Sequence, residues 1–235
     1  WGQDLRPSYL KIPDFIDALN SRPVVGAFTA TATGAVRDDI KTLLRLVSPL
    51  VVTTGFDRPN LFFSVMQPKN KSIELMKLIK ERKNESGIVY CSTRKAGEEV
   101  CELLQKNGFV ATRYHAGLDE NERRRNQDDF VYDRATIMVA TNAFGMGIDK
   151  SNVSFVIHYN MPKNMESYYQ EAGRAGRDGR SADCILLYSA KDVRTNQFLI
   201  NNSEPNPALT ENEQEEVRRR DRERLKQKTY YCTPH

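Results

Sequence analysis

No apolar run in this 235-residue chain comes near the roughly 18 residues that a membrane-spanning helix needs; the longest, Val24 to Phe28 and Cys184 to Tyr188, stop far short. A spanning helix is therefore excluded. Its 13 Gly and 10 Pro are too few for a collagenous or low-complexity chain. Its four cysteines, Cys91, Cys101, Cys184 and Cys232, are scattered through a chain long enough to bury a core without staples. A reduced, intracellular protein is the expectation. Trp1 is not followed by a basic stretch and an apolar stretch, so no secretory leader is read and the chain reads as cut from a longer one. Nor is there any Gly-x-x-x-x-Gly-Lys-Ser/Thr or Asp-Glu-x-His, which removes the phosphate cradle and the Mg²⁺ carboxylate of a self-contained P-loop motor.

The net charge of +4, from 35 basic against 31 acidic residues, is too slight to require a nucleic-acid partner. In the densest run, Glu211 to Lys228, seven basic and six acidic residues nearly cancel. Thr210 and Glu213 form a capping-box pattern, with acids gathered early and bases late, which suits the helix dipole and i,i+4 pairing. A solvated, self-paired helix is expected there, rather than a DNA-binding surface.

Elsewhere, short apolar β-branched runs alternate with amphipathic stretches. In the first part, strands are expected at Val24 to Thr29 and Leu50 to Thr54, with a helix at Ala35 to Val47 between them. After the Gly55 to Asn60 break come strands at Leu61 to Val65, Gly87 to Cys91, Val110 to Tyr114, Ala135 to Ala140, Val153 to His158 and Cys184 to Tyr188. Helices at Lys71 to Lys83, Lys95 to Lys106, Glu120 to Phe130 and Met165 to Gly173 separate them. Continuously apolar strands joined by helices predict an α/β fold, a doubly wound, mostly parallel sheet covered on both faces. Domains are expected over residues 1–55 and 56–190, with a linker and the charged helix over 191–235.

In such sheets chemistry gathers on loops at the carboxyl ends of strands. Four segments fit that expectation. Tyr90 to Arg94 offers two hydroxyls and a cation at a helix start. Tyr114 to Gly117 ends the next strand. Ala140 to Asp149 carries two glycines that permit close backbone approach. Gln170 to Gly179 is read as the fourth such loop; small residues flank Arg174 and Arg177, letting both guanidiniums reach into one cleft, as phosphate binding requires.

Taken in order, Ala27 to Thr33, Val89 to Arg94, Tyr114 to Leu118, Val139 to Lys150 and Gln170 to Gly179 resemble motifs III to VI of superfamily-2 helicases. Phe155 to Tyr159, Pro162, Glu166 to Glu171 and Gly173 to Gly179 are similar to the wording of the RecQ family, and the similarity runs from Trp1 to about Tyr188. The resemblance implies the end of a first RecA-like domain, a whole second one, and a lead into a zinc-binding domain. It implies an ATP-dependent DNA helicase, 3'-to-5', acting in repair and recombination on single-stranded and forked DNA with single-strand-binding and recombination proteins as partners. ATP with Mg²⁺ is the implied cofactor, with its main ligands outside this chain.

By the same resemblance Arg174, Arg177 and Gln170 are catalytic, and Asp149 and Gly147 join them around ATP. Thr29 and Thr31 couple the domains. DNA falls to Ser92, Arg94, His115 and Thr141 at strand ends and to Trp1, Arg6 and Tyr9, which resemble part of the family's aromatic-rich loop and offer a stacking surface for bases. Cys232 and His235 have metal-like spacing, but a tetrahedral site needs four ligands, so zinc is expected beyond this chain and no metal ligand within it. An RNA helicase of the same superfamily and a non-enzymatic nucleic-acid-binding module stay open as alternatives.

Overall fold

The computed structural model describes residues 10–29, 34–53, 57–141, 144, 150–201 and 211–232. The chain divides into two compact units, Trp1–Asp57 and Arg58–His235.

In the first unit, helix α1 spans Ile12–Asp17, with Pro13 in its first turn, and α2 spans Gly34–Leu43. The guanidinium of Arg22 donates to the Leu44 and Arg45 carbonyls at 3.0 and 2.9 Å and to Asp17 at 3.2 Å, tying the ends of both helices together. The strands expected at Val24 to Thr29 and Leu50 to Thr54 are not formed over their described residues, and Val24, Phe28 and Leu50 stand almost fully exposed. Apolar, β-branched runs become strands only when neighbours accept their hydrogen bonds, and among the described residues of this unit no strand is available to pair with them.

The second unit is built on six strands: β1 Leu61–Met66, β2 Ser86–Tyr90, β3 Ala111–Tyr114, β4 Ile137–Ala140, β5 Val153–His158 and β6 Ala182–Leu187. They form one wholly parallel sheet in the order β1-β6-β5-β2-β4-β3. Helices α3 Lys71–Glu81 and α4 Arg94–Lys106 cover one face. There Leu75, Leu78, Ile79, Val100 and Leu104 pack on Val89, Val139, Phe155 and Ile157. Helices α5 Glu120–Val131 and α6 Met165–Ala172 lie on the other face. There Phe130 and Ala172 meet Ile88, Tyr90, Met138 and Val156. Both sides of β2 and β4 are buried, hence the apolar runs Ile88 to Tyr90 and Ile137 to Ala140 within them. Gly87 is required by this packing, because a Cβ there would fall 2.0 Å from the Phe155 ring.

Each crossover helix starts on a residue suited to the task. The side chains of Asn70, Thr93, Asp119 and Asn164 accept hydrogen bonds from the first-turn N–H groups of α3, α4, α5 and α6.

Two more helices follow the sheet: α7 Ala190–Asn201, which the sequence pattern did not suggest, and α8 Glu211–Cys232. α8 has an expected i,i+4 pair, Arg220 with Glu216 at 2.6 Å, and Arg222 pairs with Glu215 seven residues back. It is not simply solvated, however. Leu225 is only 1% exposed and packs with Met161, Leu186, Tyr188 and Ile200, while Lys163 reaches Asp221 at 3.2 Å. No described helix is long and apolar enough to cross a membrane.

Candidate functional site

Parallel strands bring their carboxyl ends to one edge, and the order β5-β2-β4-β3 sets four of the loops that follow them side by side. After β2, the Ser92 N–H donates to Asn160 Oδ1 at 3.2 Å, fastening this loop to the one after β5. Asn160 Nδ2 in turn donates to Asp192 at 3.0 Å. Asp192 also receives Lys71 Nζ at 2.6 Å and the Ser189 N–H at 3.0 Å, and Lys71 binds the Tyr159 carbonyl at 2.7 Å. Burial lowers the Lys71 pKa, with Asp192 opposing the shift. Beside this network is a cleft of about 260 Å³ whose walls include Tyr90, Ser92, His158, Asn160, Lys163 and Leu199.

The four strand-end candidates differ in what they present. Arg94, the first residue of α4, is exposed, and Ser92 is half-buried. His115 is 5% exposed, with both ring nitrogens engaged: Nε2 lies 2.6 Å from Glu98 Oε1, and Nδ1 is 3.2 Å from the Gly117 N–H. The N–H must donate to Nδ1, so the neutral ring carries its proton on Nε2 and donates to the carboxylate. Arg113 completes this cluster through Glu98 and Glu122, both at 3.1 Å. Thr141 is 7% exposed, and its N–H donates to the Tyr114 carbonyl at 3.2 Å. Ser92 and Arg94 thus present groups to solvent, whereas His115 and Thr141 are set into the loops' foundations.

Gln170 to Gly179, grouped with the loops at the carboxyl ends of strands, instead closes α6, where a helix end was expected, and from Ala175 onward it lies at the amino edge of the sheet. The Gly176 N–H donates to the carbonyl of Val153, the first residue of β5, at 2.9 Å. Arg58 Nη2 donates to the Ala175 and Gly176 carbonyls at 3.1 and 2.9 Å, and Asn60 Nδ2 to the Gly176 and Arg180 carbonyls, both at 2.8 Å. Gly176 has φ +58°, and a Cβ there would lie 2.5 Å from Asn60 Nδ2 and 2.8 Å from the Arg180 oxygen. Only glycine fits without displacing the clamp.

From this loop Arg174, half-buried, reaches the hydroxyl of Tyr90 on β2, while Arg177 is exposed yet close enough to act on the same hydroxyl electrostatically. Burial drives the Tyr90 pKa far up, and the two guanidiniums oppose the shift. Tyr90 therefore stays a neutral phenol while two cations face its polar end. Tyr90, His158 and Glu171 lie within the motif segments but were given no role there, and Arg58, Asn60, Lys71 and Asp192 fall outside the motifs. The one available signal was polar residues, Tyr90 and His158, closing otherwise apolar strands.

Gln170 is half-buried on α6, and Thr29 is exposed in the first unit. Trp1, Arg6, Tyr9, Thr31, Gly147 and Asp149 lie outside the described residues, as do His235 and the side chain of Cys232. Among the described residues no group of three or more His, Cys, Asp or Glu is placed to hold a metal ion.

Residues 70–179 match the family described as "Helicase conserved C-terminal domain". The ATP-dependent DNA helicase RecQ of Bacillus subtilis is 45% identical over 232 residues, covering 99% of this chain and 38% of that protein. The ATP-dependent helicase wrn-1 of Caenorhabditis elegans is 43% identical, with 90% of this chain and 21% of that protein covered. The chain thus spans well under half the length of these relatives. Among solved structures, S. cerevisiae dbp5 bound to gle1 and ip6 shares the fold, with a TM-score of 0.67 at 24% identity over 94% of this chain and 59% of that one.

Proposed function

The chain belongs to the RecQ family of helicases, and from that premise we propose that the protein it is part of is an ATP-dependent DNA helicase, coupling ATP hydrolysis to 3'-to-5' translocation on single-stranded DNA and to duplex unwinding in repair and recombination. The reading is carried by the arginine loop. Four hydrogen bonds from Arg58 and Asn60 fix its backbone, and two guanidiniums converge near Tyr90. A pair of cations carried on a fixed backbone suits the transfer of a phosphoryl group to water, since its transition state needs positioned charge more than covalent help.

Arg174 and Arg177 accordingly stabilise the charge developing on the γ-phosphate of ATP, with Gln170, Gly147 and Asp149 on the same side of the nucleotide. Thr29 and Thr31 couple this event to the first domain. Mg²⁺ neutralises the phosphate oxygens when bound, and its ligands are assigned to parts of the protein outside this chain, which is then a partial motor. At the carboxyl edge of the sheet Ser92 and Arg94 contact backbone phosphates, giving affinity without base specificity. His115 and Thr141 serve DNA by holding that edge in shape, and Trp1, Arg6 and Tyr9 stack on and pair with the single strand. Forked DNA is the physiological substrate, with single-strand-binding and recombination proteins as partners, in the cellular compartment that houses DNA.

The test is steady-state ATP hydrolysis by the full-length protein with single-stranded DNA. Arg174→Ala and Arg177→Ala should each lower kcat by roughly 10³ with little change in ATP affinity, and RNA should not replace DNA as activator. Near-normal turnover by either variant removes that arginine from the site. The 235-residue chain by itself should show no DNA-stimulated hydrolysis.

A further inference from the structure

Tyr90, His158 and Glu171 are all buried between the sheet and α6, and the function proposed above gives them no part. They form one connected arrangement. His158 Nε2 lies 2.9 Å from Glu171 Oε2, and since the carboxylate only accepts, the imidazole donates. The His158 ring stacks on Tyr90 with centroids 5.3 Å apart and planes 19° apart. It also meets Tyr168 edge-on at 4.8 Å and 63°. One hydrogen bond and two ring contacts therefore fix the imidazole in position and rotation, and the imidazole fixes the phenol plane. The Tyr90 hydroxyl ends at Arg174, with the Phe144 carbonyl 3.4 Å away on another side. Glu171 is the penultimate residue of α6, and Arg174 follows one turn later. The His158–Tyr90 stack thus spans a single turn of backbone, leaving its two ends little freedom to move apart.

An arginine side chain has many rotamers of similar energy, and a misplacement of about 1 Å at a reacting centre costs on the order of 10²-fold in rate. Its guanidinium carries five N–H donors, so a bond to one protein oxygen does not exhaust its capacity to donate. We propose that Tyr90, held in plane by the His158–Glu171 pair, is a positioning residue that fixes the rotamer of Arg174 before nucleotide arrives. The inference rests on the reading of Arg174 as a group acting on γ-phosphate charge.

Tyr90→Phe removes the hydroxyl and keeps the ring on its stack, so the fold is retained. In the full-length protein, kcat for DNA-stimulated ATP hydrolysis should fall about tenfold. The KM for ATP and the affinity for single-stranded DNA should stay within about twofold, and Tm within about 2 °C. Added to Arg174→Ala, the change should cause no further loss, because it acts only through that arginine. Unchanged kcat in Tyr90→Phe beside an inactive Arg174→Ala overturns the inference and leaves the functional reading standing, as does an additive loss in the double variant. Full turnover by Arg174→Ala takes down both.

Discussion

Lys150 Nζ lies 2.6 Å from Asp133 Oδ1, although Lys150 is 4% exposed and Asp133 sits at the surface with a left-handed φ of +58°. The ammonium also lies 5.0 Å from the centre of the Phe130 ring, and Asp133 accepts further bonds from Ser86 at 3.1 Å and Asn152 at 3.3 Å. Lys150 closes the segment that carries Gly147 and Asp149, and its basic side chain invites assignment to DNA. Its charge instead points inward, tying the chain just ahead of β5 to the turn after α5 and the start of β2.

The Asp133 pKa is held below its ordinary 3.8, first by the hydrogen bond from Lys150. A carboxylate with a depressed folded pKa contributes stability that is present in full above 3.8 and is lost as pH falls through the folded value, because the unfolded chain then binds the proton more tightly. Asp133→Asn should therefore unfold at lower urea than the unsubstituted protein at pH 7, and the gap should close below about pH 3.8. Asn tolerates a left-handed backbone, so strain does not confound the comparison. A gap that stays constant down to pH 3 would show that the Lys150 contact contributes nothing through its charge.

Gly176→Ala places a methyl group into Asn60 and the Arg180 carbonyl at a positive φ. Relieving the clash means moving the clamp, and the expected cost is about 1–3 kcal/mol. In a unit of this size that lowers Tm by about 2–4 °C for each kcal/mol. In the full-length protein DNA-stimulated ATP hydrolysis should fall further than stability explains, measured at a temperature where the variant remains folded. Normal turnover at reduced Tm would mean that the clamp supports the fold without aligning the arginines.

Burial raises the thiol pKa of Cys91 and Cys184 to about 12 and of Cys101 to about 11. Thiolate is then almost absent at pH 8, and access is closed as well. A water-soluble disulfide reagent at pH 8 should leave these three unmodified in the folded protein and label them at once in denaturant. Mass spectrometry showing rapid labelling of Cys91 in the native state would mean that β2 opens locally.

Much of the second unit was legible because its signals are local. Most strands from Leu61 to Leu187 are largely apolar, β3 (ATRY) being the clearest exception, and every crossover helix opens on an Asn, Thr or Asp that caps it. Helix α7 escaped because its sequence, AKDVRTNQFLIN, is mostly polar at the surface while Asp192 and Asn196 are buried. Its burial comes from hydrogen bonds to the loop after β5, through Asn160, Met161 and Pro162, and no periodicity announces those partners.

Sequence alone determined the alternation of strands and helices in the second unit, the helix starts and the motif wording, because each depends on residues adjacent along the chain or one turn apart. Tertiary structure decided the rest. Val24 to Thr29 reads as a strand by composition yet forms none, since a strand exists only through bonds to a neighbour. The strand order put β2 at the centre, which brought Tyr90 to His158 and to Arg174. The run of α6 back across the sheet carried the arginine loop to the edge opposite Ser92 and Arg94. Adjacency in space between residues distant in the chain follows from how the layers pack, and packing is a property of the whole molecule that no single stretch of sequence contains.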